Sequence, residues 1–148
     1  MIAIGCDHAG YEMKMVLIDE IIKMGWQVQD AGCDGSPCDY PEIAKAVCGT
    51  ISGGICERGI LICGTGIGMS IAANKFAGIR AALCADAYSA KFTRLHNDAN
   101  VLCLGARTSS IPIALELMKI FLETDFEGGR HQRRVDMITA TEEIQTRT

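Results

Sequence analysis

The sequence predicts an α/β fold: a Rossmann-like three-layer sandwich with a five-stranded parallel sheet and a C-terminal helix, in one domain over residues 1–148. Two observations predict it. Short apolar runs alternate along the whole chain with helical segments of roughly 10–15 residues, the signature of βαβ units with helices on both faces of a parallel sheet. A length of 148 residues with 49% hydrophobic and 22% charged residues suits one domain with one sizeable core.

Ile2–Cys6 is an apolar run that ends in polar Asp7-His8-Ala9-Gly10 and reads as the first strand. A helix follows from about Tyr11 to Met24, where Met13, Val16, Leu17, Ile21 and Met24 recur at helical spacing; Gly25 stops it. Trp26–Val28 begins a short second strand. Asp30–Pro41 is a polar loop containing Gly and Pro, and the next helix runs from about Glu42 to Ser52, ended by Gly53-Gly54. The third strand, Gly59–Cys63, leads to a helix over Ile67–Lys75. Arg80–Cys84 and Val101–Gly105 are the fourth and fifth strands, separated by a helix over Ala87–His96. An amphipathic helix over Ile111–Glu123 and a last one over about Gln132–Gln145 complete the pattern.

Composition excludes several function classes. No apolar run reaches the roughly 20 residues of a membrane span, and the first strand begins at the start of the sequence with no signal-like segment before it, so a cytoplasmic protein is expected. A net charge of −4 gives no global basic field for nucleic acid. Eight cysteines in a reducing compartment should be free thiols. None makes a C-x-x-C pair or a zinc pattern with histidine, so no metal is expected. Cys6, Cys84 and Cys103 sit in strand-like runs as small core residues, and Cys33, Cys38, Cys48 and Cys56 carry no pattern.

Cys63 differs. The segment GILICGTGIGMSIAANK ends a buried strand in a thiol, then supplies Gly64, Gly66 and Gly68 at alternate positions before a helix. A parallel sheet binds its ligands at the C-terminal strand ends, and a glycine loop opening a helix presents amides to an anion. Thr65 adds a hydroxyl. No G-x-G-x-x-G or G-K-[ST] pattern points to a nucleotide. Asp7-His8 and Gly105-Ala106-Arg107 follow other strand ends, and His96-Asn97-Asp98-Ala99-Asn100 is a fourth polar group, all expected on one sheet edge. Arg130, Arg133 and Arg134 flank His131; they read as a phosphate site or as a solvated helix face. Thiol, hydroxyl, imidazole and arginines suit proton transfer beside the carbonyl of a phosphorylated sugar.

GCDHAG, DYPEIA, GILICGTGIGMSIAANK, GIRAA, HNDANVL and EGGRHQRRV together resemble, in order and spacing, type B ribose-5-phosphate isomerases, a group that extends to allose-6-phosphate and galactose-6-phosphate isomerases. The resemblance runs from Ile2 to about Ile144. It implies that Cys63 is the base moving the proton between C1 and C2, and that His96 helps open the furanose ring. Asp7 and His8 match a substrate-contacting pair. Gly64, Thr65, Gly66, Ile67 and Gly68 match the loop that stabilises the enediolate, with the Thr65 hydroxyl. Asn97, Arg107, Arg130 and Arg134 match the remaining substrate contacts, the arginines toward the phosphate. Some relatives use a glutamate at the position of Met69, whose thioether cannot serve, so this chain is of the cysteine type.

The implied reaction, between ribose 5-phosphate and ribulose 5-phosphate in the pentose phosphate pathway, needs no cofactor. The alternatives are allose-6-phosphate isomerase, with the Asp30–Pro41 loop setting pocket length, and a non-catalytic phosphate-binding or thiol-redox module. The resemblance also implies a homodimer with shared sites, possibly a tetramer, in which His96 or the arginines meet Cys63 across the boundary. Leu115, Met118, Leu122, Val135, Ile138 and Ile144 supply apolar surface for such an interface.

Overall fold

The five apolar runs form one all-parallel sheet in a computed structural model that describes the backbone of residues 1–146 and the side chains as far as Glu142. The strands are β1 (Ile2–Cys6), β2 (Val28–Asp30), β3 (Arg58–Cys63), β4 (Ala81–Leu83) and β5 (Val101–Gly105), in the order β2-β1-β3-β5-β4. The helices are α1 (Tyr11–Lys23), α2 (Tyr40–Ser52), α3 (Ile67–Ala73), α4 (Ala87–Asn97), α5 (Ile111–Glu123) and α6 (Arg130–Thr146).

Strand alternation divides the core into two layers. Ile2, Ile4, Ile60, Ile62, Leu102 and Leu104 face one side, against α1, α4 and α5. Ala3, Leu61, Cys63, Val101 and Cys103 face the other, against Val47 and Cys48 of α2 and Met69 and Ala73 of α3. The expected three-layer sandwich is therefore present, and its central strands β1, β3 and β5 are buried on both faces as a parallel sheet requires.

Boundaries shift where local signals were weak. The second strand lies at Val28–Asp30 rather than Trp26–Val28, because pairing of Ile2 with Val28 sets its register, and Trp26 packs on the core beside it. α2 starts at Tyr40, with Pro41 in its first turn, where a missing N–H costs nothing. α6 starts at Arg130, directly after Gly128 and Gly129, both with positive φ. Of the apolar residues expected to be in surplus, Met118, Leu122 and Val135 are buried within the chain, and Ile138 is exposed. The side chain of Ile144 lies outside the described residues. No helix among the described residues is long and apolar enough to cross a membrane.

Candidate active site

Cys63 ends β3 at the centre of the sheet, buried, with its Sγ accepting the Gly66 N–H at 3.1 Å. That contact closes the Cys63–Gly66 turn, and Gly66 takes φ +76 to make it. A side chain at Gly66 would also meet the Leu104 backbone at 2.9 Å, so glycine is required twice over. The exposed Thr65 hydroxyl accepts the Ile67 N–H at 3.3 Å and opens α3. Helical bonding begins with Ser70 N–H on the Gly66 carbonyl at 3.0 Å, so the Gly68 and Met69 amides have no carbonyl partner within α3. Met69 itself is fully buried with Cys63 in the same apolar cluster.

The neighbouring strand ends bring their polar groups to this loop. Cys6 pairs with Ile62 and Cys63 with Gly105, so Asp7 and Ala106 come level with the glycine loop. Asp7 is nearly buried; its carboxylate accepts the Ala9 N–H at 2.9 Å and caps a single 3-10 turn over His8–Gly10, leaving the His8 side chain exposed. The Arg107 amide donates to Gly64 O at 2.9 Å, and its guanidinium lies over Gly64. Tyr40, whose role the sequence reading missed, sets its ring against Gly68 so closely that a Cβ there would stand 2.7 Å from it. The available signal was an aromatic in the DYPEIA segment, at the mouth of the same edge.

Five of the other cysteines are held in the thiol form. Burial pushes the thiols of Cys6, Cys48 and Cys84 up to about 11 and raises Cys103 well above its ordinary value. Cys38, in the loop before α2, is likewise raised to about 11, by burial and then by the neighbouring Cys33 thiol.

His96 and Asn97 do not join the Cys63 edge, contrary to the expectation that all the polar groups share it. They end α4, which runs antiparallel to the strands and delivers the chain to the start of β5. At roughly 3.3 Å per residue, the length of β5 alone keeps the two edges about 15 Å apart. At this opposite edge the His96 ring stacks on His131, centroids 4.0 Å apart, and extends a ladder from Tyr88 through Phe92 at 4.2 and 4.8 Å. Asn97 is exposed and lines a groove of about 580 Å³ with Arg80, Ile138 and Glu142.

Arg130 and Arg134 are here too, exposed on α6, while His131 and Val135 on the same helix are buried. Arg94, which carried no sequence signal, is buried and grips the segment: it donates to Asp98 at 2.9 Å, to Thr124 O at 3.2 Å and to Ala99 O. The candidate residues thus form two halves. Asp7, His8, Cys63 to Gly68 and Arg107 make one; His96, Asn97, Arg130 and Arg134 make the other.

The chain matches the family model described as Ribose/Galactose Isomerase over residues 2–138. Ribose-5-phosphate isomerase B of Escherichia coli (strain K12) is 48% identical over 143 residues, covering 96% of each chain. D-erythrulose-4-phosphate isomerase of Pectobacterium atrosepticum is 43% identical over 139 residues, 93% of this chain and 91% of that one. Among solved structures, ribose-5-phosphate isomerase B of Clostridium thermocellum superposes with a TM-score of 0.95 at 45% identity, covering 97% of this chain and 98% of that one. The type B enzyme of Leishmania infantum does so at 0.93 and 47%, covering 97% of each.

Proposed function

The chain belongs to the ribose/galactose isomerase family, and on that premise we propose that it interconverts ribose 5-phosphate and ribulose 5-phosphate. The observation that carries the reading is the Cys63 thiol, held at the end of β3 by the glycine loop that closes on its Sγ and opens α3, where the Gly68 and Met69 amides have no carbonyl partner within the helix. In the open-chain aldose, the Cys63 thiolate removes the C2 proton and electron density moves to the carbonyl oxygen. The resulting enediolate is stabilised by the loop amides and the Thr65 hydroxyl; the hydroxyl proton passes from O2 to O1, and the thiol returns its proton to C1 as the C2 carbonyl forms. Hydrogen moves within one molecule, so the reaction consumes no redox cofactor. Asp7 and His8 border the thiol and hold sugar hydroxyls. His96 assists opening of the furanose ring, and Arg107, Arg130 and Arg134, with Asn97, hold the phosphate end and fix the orientation of the reacting carbons.

These roles require the two halves to meet, and we propose that a homodimer joins them, its twofold symmetry creating two shared sites from one interface. Two observations support this. The halves sit at opposite sheet edges, beyond contact within one chain. Exposed Ile67, Ile71, Leu83 and Tyr88 also surround the loop and the aromatic face of α4, as an interface would need. The eight cysteines are all free thiols, a state that a reducing cytoplasm maintains and where the pentose phosphate pathway would use this reaction.

A coupled assay for ribulose 5-phosphate formation tests the proposal, run beside allose 6-phosphate and D-erythrulose 4-phosphate with EDTA present. Turnover of ribose 5-phosphate is expected. Failure to turn over any of the three sugars would return the chain to a phosphate-binding module without chemistry.

A further inference from the structure

His131 is anomalous among the described residues. Its side chain is 5% exposed, yet Nε2 has no hydrogen-bond partner. Buried polar nitrogens are satisfied as a rule, and an unmatched one calls for an explanation. This nitrogen faces company. The Glu127 carboxylate oxygen lies 3.8 Å from it and 3.7 Å from Nε2 of His96, too far for a hydrogen bond to either. The three ligand atoms lie within 4.8 Å of one another.

The grouping is built rather than accidental. Glu127 donates its backbone N–H to Leu95 O at 3.1 Å, which pins it beside His96, and the His131 N–H bonds Gly128 O at 3.0 Å as α6 begins. Two imidazoles and one carboxylate form a three-ligand set that zinc uses with a fourth position left open. Ligand atoms on one tetrahedral zinc, each at about 2.0–2.2 Å, stand roughly 3.3–3.5 Å apart. The observed nitrogen–oxygen separations exceed that by a few tenths of an ångström. We propose that His96, Glu127 and His131 form a binding site for a zinc-class divalent cation.

His131 is the fixed ligand, buried in the first turn of α6, while Glu127 and His96 are exposed enough to close on the ion. The two rings are nearly parallel, at 14°, so their lone pairs run side by side and His96 must swing out of the stack to aim at a shared ion. Arg130 and Arg134 oppose a cation electrostatically and Glu127 favours it. That balance selects metals that bind imidazole strongly, such as zinc, over magnesium or calcium. An occupied site takes up Nε2 of His96, so the cation inhibits ring opening. This consequence, not the site, rests on the role proposed above for His96.

The test is titration of the EDTA-treated, dialysed full-length protein with Co²⁺, followed in the visible and near-ultraviolet. One equivalent should give d–d bands without thiolate charge transfer, displaced by Zn²⁺ and untouched by Mg²⁺. Glu127→Gln, at an exposed position, should weaken that binding by at least roughly tenfold. In parallel, Zn²⁺ should inhibit turnover, with the variant correspondingly less sensitive relative to its own activity. Absence of a saturable nitrogen–oxygen spectrum, or wild-type affinity in both Glu127→Gln and His131→Gln, overturns the site. Inhibition accompanied only by thiolate charge transfer places the metal on cysteine and overturns it too. Binding as described with turnover unaffected upholds the site and removes the role given to His96.

Discussion

Replacing Cys63 by serine and by alanine separates the chemistry of the thiol from its structural work. In the wild type the buried Sγ accepts the Gly66 N–H at 3.1 Å. Alanine removes that acceptor and leaves a buried amide unmatched, at a cost of about 1–3 kcal/mol. At this chain length, each kcal/mol corresponds to roughly 2–4 °C in Tm. Serine keeps an acceptor for the same amide, so Cys63→Ser should melt within a few degrees of wild type while Cys63→Ala melts measurably lower. Activity should divide differently. Neither replacement offers a base at neutral pH, and loss of a general base typically costs about 100-fold or more in kcat. Both variants should therefore fall by at least that factor, with phosphate inhibition preserved. Thermal melts and the coupled assay read the two effects separately. If Cys63→Ser kept more than roughly a tenth of wild-type kcat, the assignment of the thiol as base would be wrong.

Arg130→Ala and Arg134→Ala should chiefly weaken substrate and inorganic phosphate, by roughly tenfold each, since a charge-assisted hydrogen bond contributes on the order of 1.5–3 kcal/mol; unchanged phosphate inhibition in both would make α6 a solvated face. Gly66→Ala combines φ +76 with a Cβ that would stand 2.9 Å from the Leu104 backbone, so the loop must open and kcat should fall with it; full activity with an unshifted Tm would contradict the turn described. The thiols of Cys6, Cys48 and Cys84 stand at about 11 in the fold against an ordinary 9.0. The unfolded chain therefore loses these protons first as pH rises, and stability present below pH 9 is lost progressively from there toward 11. Melts between pH 8 and 11 should show this decline, and Cys48→Ala should shallow it.

The central strands were legible because β1, β3 and β5 are buried on both faces, which forces unbroken apolar runs. β2 was misplaced because a three-residue edge strand takes its register from its neighbour, while the aromatic Trp26 attracts the reading two residues early. The glycine loop was legible since its glycines answer local demands, a positive φ at Gly66 and the Tyr40 ring against Gly68. Arg94 and Lys14 were not. Both are long charged residues in helical runs, which sequence periodicity assigns to solvent, yet Arg94 donates to the carbonyls of Ala99 and Thr124 and Lys14 binds Asp30 at 2.8 Å while almost wholly buried. His131 was visible only as part of a basic cluster, because its partner His96 lies far away in the chain. The placement of His96 beside Cys63 on one edge failed for a topological reason. A helix that leads into a parallel strand must end where that strand begins, which is the edge opposite the strand's ligand-binding end.

That opposition makes the shared active site the claim on which the rest depends, and complementation between inactive chains tests it most directly. Cys63→Ala and His96→Ala chains are mixed under conditions that exchange subunits, and hybrid dimers are verified by mass. If the two residues serve one site from different chains, each hybrid carries one intact site and one doubly defective site. Random exchange makes half the dimers hybrid, so activity should recover to about a quarter of wild type. Repeating the mixture with Arg134→Ala in place of His96→Ala should restore a component of turnover with the wild-type KM, which neither parent shows. No activity in a verified hybrid, or a strictly monomeric enzyme at full activity by light scattering, would contradict the account.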